Sequence, residues 1–119
     1  MAIGEIKNNE ILKFIIERSL LTSRQFDVIS KRLRGERGAQ RGSRGAYYRL
    51  LRQSRNKIIG LMYSLLLLEL IGLLDEQAKE VLARLSKQVA VTQTSDIDEQ
   101  TARDVIRVMD ELIRRMSTV

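Results

Sequence analysis

Between Lys31 and Lys57 the sequence KRLRGERGAQRGSRGAYYRLLRQSRNK sets ten lysine and arginine residues against a single acid, Glu36. The stretch carries +9, while the rest of the chain, with eleven basic and fourteen acidic residues, carries −3. The chemistry on offer is recognition of a polyanion. A guanidinium fork matches a phosphate bidentately and stacks on planar groups, and a lysine ammonium adds a point charge. Gly35, Gly38, Gly42 and Gly45 fall in the same stretch, as do the adjacent Tyr47 and Tyr48. Paired Arg and Gly residues resemble the arginine–glycine segments that bind nucleic acid with little sequence preference. A concentrated basic segment with aromatics among it is the electrostatic footprint of a nucleic-acid binder. The contacts expected are Lys31, Arg32, Arg34, Arg37, Arg41, Arg44, Arg49, Arg52, Arg55 and Lys57, with Tyr48 stacking on a base or on a guanidinium.

Other chemistries lack their residues. The segment GERGAQRG has no Lys-Ser/Thr end and follows no strand, so it is not a nucleotide-binding P-loop. The 119 residues include no Cys and no His, which removes thiol nucleophiles, disulfides, imidazole bases and the usual ligands of structural zinc. No tight constellation of carboxylate, Lys, Tyr and Ser remains, so no enzyme, cofactor, metal or small-molecule ligand is expected. The start, MAIGEIKNNE, has no basic region followed by an apolar run and no glycine at position 2. A cytoplasmic location is the expectation.

The elements that must position these residues read as helices. Apolar residues recur at helical spacing from Ile6 to Leu21, then at Phe26, Ile29 and Leu33 of a helix from Ser23 to about Arg34, with Thr22 and Ser23 as N-cap candidates. Three glycines make Gly35 to Ser43 a break, expected as a surface loop. Ser43 is a candidate N-cap for the longest helix, of about thirty residues with Gly60 as the place for a bend. At 100° per residue, Arg44, Tyr48, Arg52 and Arg55 lie within an arc of about 80°, and Arg41 joins them if the helix reaches it. Tyr47, Leu50, Leu51, Ser54 and Ile58 lie on a separate, core-facing arc.

From Ile58 to Leu74 the same helix turns almost wholly apolar. Its 17 residues and Glu69 fall short of a membrane span, so burial in a core or an oligomer interface is expected. Asp75 caps a helix from Glu76 to about Gln88, and Val89 to Thr94 is read as a connection, with a short extended piece at most. Ser95 caps the last helix. There Ala102, Ile106, Met109, Ile113 and Met116 are spaced 4, 3, 4, 3, which suits docking on the chain's own core or a short dimer seam. The predicted fold is a single all-α domain of four or five helices around one long central helix. Residues 11–57 form its nucleic-acid-binding half and 58–119 its core and oligomerisation half. Homodimer contacts are expected from Ile58, Leu61, Leu65, Leu68, Ile106, Met109 and Ile113.

The segment ILKFIIERSLLTSRQFDVISKRL resembles the first helix, turn and second helix of helix-turn-helix and winged-helix DNA-binding domains, and SRGAYYRLLRQSR looks like their recognition helix. The resemblance covers about Ile11 to Lys57 and implies that Ser43 to Arg55 enters a major groove. The connection of nine residues, Gly35 to Ser43, is longer than the family's tight turn. The function expected is DNA binding, as a small transcriptional regulator or nucleoid-associated protein. RNA binding, including a place on the ribosome or another ribonucleoprotein, stays open, and so does a helical adaptor for a protein partner.

Overall fold

In the computed structural model, which describes residues 10–36 and 44–119, the chain forms five α-helices. They are α1 (Glu10–Arg18), α2 (Ser23–Leu33), α3 (Arg44–Leu70), α4 (Glu76–Thr94) and α5 (Glu99–Met116). No strand occurs among the described residues, as the all-α reading requires. Any start of α1 before Glu10, most of the Gly35–Ser43 loop and the Ser43 cap lie outside the described residues.

Local chemistry sets the ends of the helices. α1 stops at Arg18, short of the expected Leu21, because Ser19 intervenes. Its hydroxyl donates to the Ile16 carbonyl at 2.8 Å and accepts the Leu21 N–H at 3.1 Å. α2 starts on a capping box. Thr22 accepts the Gln25 N–H at 3.1 Å, and the Gln25 side chain accepts the Thr22 N–H at 3.0 Å. Its other end turns at Gly35, whose φ of 74° suits a residue without Cβ, and the Glu36 N–H closes back on the Lys31 carbonyl at 2.8 Å. The face expected of α2 needs correction. Val28 is its buried residue, Phe26 and Ile29 are half-buried, and Leu33 is 84% exposed. Spacing marks a face but not how far along it a neighbour reaches, and Leu33 stands in the final turn.

α3 runs unbroken through Gly60 for 27 residues, about 40 Å at 1.5 Å per residue. It ends at Leu70, where Gly72 at φ 84° reverses the chain and the Leu74 N–H donates to the Leu68 carbonyl at 3.0 Å. α4 starts on Asp75, which accepts the Ala78 N–H at 2.8 Å. It then continues to Thr94, six residues past the predicted end at Gln88, and the expected connection is helical. Val89 and Thr92 are buried there, in line with Ala78 and Leu85. Burying a valine gains about 1.5–3 kcal/mol, against a propensity penalty of up to about 0.7 kcal/mol for a β-branched residue. The Thr92 hydroxyl is satisfied within the helix, donating to the Val89 carbonyl at 2.6 Å. α5 is capped by Asp98, not by the expected Ser95, which instead ends α4 in an extended conformation.

The chain divides into two compact units. The larger holds the start of α1, α3 from Leu65, α4 and α5; the smaller, Ile15–Ser64, holds the end of α1, α2 and most of α3. In the larger unit Ile11, Leu12, Ala78, Leu85, Val89, Ala102 and Met109 are buried. α5 therefore turns most of its 4, 3, 4, 3 stripe inward, with Ala102 and Met109 buried, Ile106 and Met116 half-buried and Ile113 exposed. In the smaller unit Ile16, Val28 and Leu51 are buried, and Ser54 has no exposed surface. Its hydroxyl donates to the Leu50 carbonyl at 2.8 Å, so burial leaves no polar atom unpaired.

Of the two settings expected for Ile58 to Leu74, the chain's own core covers one side only: Ile58, Leu61 and Leu68 are half-buried, the opposite side of α3 is open, and the helix ends at Leu70. Among the described residues no helix is long and apolar enough to cross a membrane.

Candidate nucleic-acid interface

The two arcs read for α3 separate as their helical phase requires. Leu51 and Ser54 are buried and Tyr47, Leu50 and Ile58 half-buried, while Arg44, Tyr48, Arg52 and Arg55 are exposed. The side chains that anchor α3 thus hold the cationic arc outward on a rigid element. Arg49 and Lys57 are also exposed but lie outside that arc, Arg49 about 100° from its middle and Lys57 on the opposite side of the helix. Tyr47 and Tyr48 meet edge to face, ring centroids 5.4 Å apart and planes at 77°. That contact leaves Tyr48 52% exposed among the arginines.

Pairing distinguishes this face from most of α4 and α5. In α4 and α5 cations sit one turn after acids: Arg84 bonds Glu80 at 2.7 Å, Arg114 bonds Asp110 at 2.9 Å, and Arg103 bonds Glu99. Lys79 reaches Glu69 at 2.7 Å and Glu76 at 3.2 Å, and these two carboxylates, Glu69 first, hold its pKa above the ordinary lysine value. Near the end of α2, Lys31 pairs with Asp27 at 3.0 Å and Arg34 with Glu36 at 2.7 Å. These two predicted contacts are partly neutralised, whereas Arg32 is exposed with no acid paired to it among the described residues. Along α3 as far as Leu68 there is no acid to pair with: from Arg37 to Leu68 the sequence contains none, and Glu69 beyond it is held by Lys79. No ion pair among the described residues engages Arg44, Arg49, Arg52, Arg55 or Lys57. Arg37 and Arg41 lie outside the described residues.

The smaller unit also carries an open groove of about 560 Å³ on another side of α3. Gln25, Gln53, Asn56 and Lys57 supply its polar wall, and Leu20 and Leu61 its apolar one. Gln53 and Asn56 are one helical turn apart, between the arginines of α3, and were absent from the residues read as functional. Their spacing alongside Arg52 and Arg55 is the signal that finds them, since carboxamides hydrogen-bond base edges.

The residues expected at a dimer interface do not share one environment. Met109 is buried in the larger unit, Ile58, Leu61, Leu68 and Ile106 are half-buried, and only Leu65 and Ile113 count as exposed. The open side of α3 is formed by other residues. In helical phase, Ile59, Met62, Tyr63, Leu66 and Leu70 fall within an arc of about 100°, directly in line with the cationic arc. One outward stripe of α3 is therefore cationic over its first half and apolar over its second.

Comparison with protein-family models, with curated proteins and with solved structures finds no match to this chain.

Proposed function

We propose that this chain binds nucleic acid, DNA above all, through the cationic arc of α3. Five exposed cations on one helix with no acid beside them carry the reading. Exposed ion pairs contribute little to stability, so a surface built only for solubility would intersperse the two signs as α4 and α5 do. A one-sign face raises the local potential, attracts a polyanion and releases its condensed counterions. Arg44, Arg52 and Arg55, with Arg49 to one side, would contact phosphates, Arg52 and Arg55 also within reach of bases, while Lys57 on the opposite side of the helix adds only to the local potential. The helix-turn-helix likeness of residues 11–57 accords with Arg44 to Arg55 lying in a major groove, in a small transcriptional regulator or nucleoid-associated protein.

A second reading, single-stranded RNA or DNA, is favoured by the exposed ring of Tyr48 and the carboxamides of Gln53 and Asn56, which suit unstacked bases. Fluorescence anisotropy with labelled duplex DNA, single-stranded DNA and RNA of one length, over a salt series, tests both. If the four arginines Arg44, Arg49, Arg52 and Arg55 neutralise phosphates, log affinity against log salt on duplex DNA should fall with a slope of about −3.6. Tighter binding to single strands, with a slope near −2.8, would select the second reading. Absence of salt-sensitive binding to any of the three would reject both and leave the helical adaptor.

A further inference from the structure

We infer that α3 pairs with α3 of a second copy of this chain, antiparallel, along the apolar half of its outward stripe. The inference goes beyond the nucleic-acid reading and does not depend on it. Ile59, Met62, Tyr63, Leu66, Leu67 and Leu70 are each between 52% and 73% exposed, on one side of a single helix. Together they leave on the order of 800 Å² of apolar side chain in water, above the few hundred Å² of a typical monomer's patch and close to the ~800 Å² per partner of a stable complex.

The pattern fits a copy of itself. Ile59, Tyr63, Leu66 and Leu70 are spaced 4, 3, 4, the knobs-into-holes repeat of paired helices, with Met62 and Leu67 flanking the seam. No charge interrupts it. Glu69, the one acid nearby, lies off the seam and is already held by Lys79 at 2.7 Å. An acidic or basic peptide thus finds no partner here, whereas an identical apolar seam fills the same holes. Charge also fixes the direction. Parallel pairing would set the cationic stretches Arg44–Lys57 of the two copies side by side. Antiparallel pairing centred between Tyr63 and Leu66 sends them to opposite ends, so Ile59 meets the partner's Leu70 and Tyr63 the partner's Leu66.

The chain has no cysteine, so introduced thiols report this register directly. Full-length Ile59→Cys and Leu70→Cys proteins, mixed, equilibrated and oxidised, should give the mixed disulfide. Neither should bridge to itself, because in the antiparallel pair Ile59 and its copy lie about 16 Å apart along the axis, beyond disulfide reach. By light scattering the parent should have twice the 13.7 kDa mass of the chain at micromolar concentration. Leu66→Glu with Leu70→Glu should return it to a single chain with unchanged helical circular dichroism, since both side chains are exposed already. Val91→Glu, at an exposed position on α4, should leave the dimer intact.

A parent of single-chain mass throughout overturns the proposal. So does a dimer that survives the two glutamates, and disulfides of Ile59→Cys with itself overturn the antiparallel register. A monomeric parent that co-floats with phosphatidylcholine–phosphatidylglycerol vesicles would assign the stripe to a lipid surface instead.

Discussion

Each arginine of the cationic arc makes a separable contribution, because none shares a carboxylate with its neighbours. Replacing Arg44, Arg52 or Arg55 with Gln should weaken binding on every sequence alike and reduce the magnitude of the salt slope by about 0.9 on duplex DNA or about 0.7 on single strands. Tyr48→Ala should act differently. Loss of a stacking ring costs roughly 1–3 kcal/mol on single strands and leaves the slope unchanged, since no ion is released. A titration series at four salt concentrations distinguishes the two kinds of variant. Ser54 tests the opposite side of the helix. Its hydroxyl bonds only a carbonyl of its own helix, so Ser54→Ala should change stability little, while Ser54→Leu must overpack a site with no exposed surface. Overpacking of this kind costs about 1–3 kcal/mol, and urea unfolding measures it.

Two glycines of one region should respond oppositely to the same substitution. Gly60 lies in the interior of α3 with open space where a Cβ would stand, so Gly60→Ala should stabilise the chain by about 0.5–1 kcal/mol. Gly72 is equally uncrowded but holds φ at 84°, so Gly72→Ala should destabilise by about 1–2 kcal/mol. Thermal melts of the two variants give the signs. The cap of α5 predicts a pH response. The Thr101 N–H, and after it the Thr101 hydroxyl, hold the Asp98 carboxyl below its ordinary value. A group whose pKa falls on folding stabilises above its unfolded value and loses that contribution as pH drops through the folded one. Stability of the parent should therefore decline on acidification below about pH 4, and Asp98→Asn should remove part of that slope. Thr22 and Asp75 were legible as caps because short polar side chains ahead of apolar periodicity carry their own mechanism. The extension of α4 to Thr94 was not legible, because it depends on burial of Val89 and Thr92 by residues distant in sequence. The cationic arc could be read from helical phase alone. In the second half of α3 every face is apolar, so phase could not say which side the fold covers; it covers Ile58, Leu61 and Leu68 and leaves Ile59, Leu66 and Leu70.

Across the molecule, charge is sorted by helix. Most cations of α4 and α5 are paired with an acid, whereas α3 keeps a net positive excess. Pairing of two chains through the apolar stripe would present two such cationic helices on one particle. Linked sites raise each other's effective concentration whenever both can engage one strand. A duplex long enough to span both arcs should then bind the parent more tightly than it binds the Leu66→Glu, Leu70→Glu variant. A duplex too short to span them should bind both proteins equally. Isothermal titration with the two lengths reads the difference.

The charges on α3 also run against the helix that carries them. α5 opens with Glu99 and closes with Arg114 and Arg115, whereas α3 has no acid in its first turn and no base in its last. Its arginines crowd the end where the peptide dipoles are already positive. In the free protein this arrangement is a standing stress, relieved by salt, so added salt should raise the melting temperature even as it weakens binding. Arg44→Glu should then give a more heat-resistant protein that binds a polyanion more weakly. On the nucleic-acid reading, a search for thermostable variants run without a polyanion would select against the binding face.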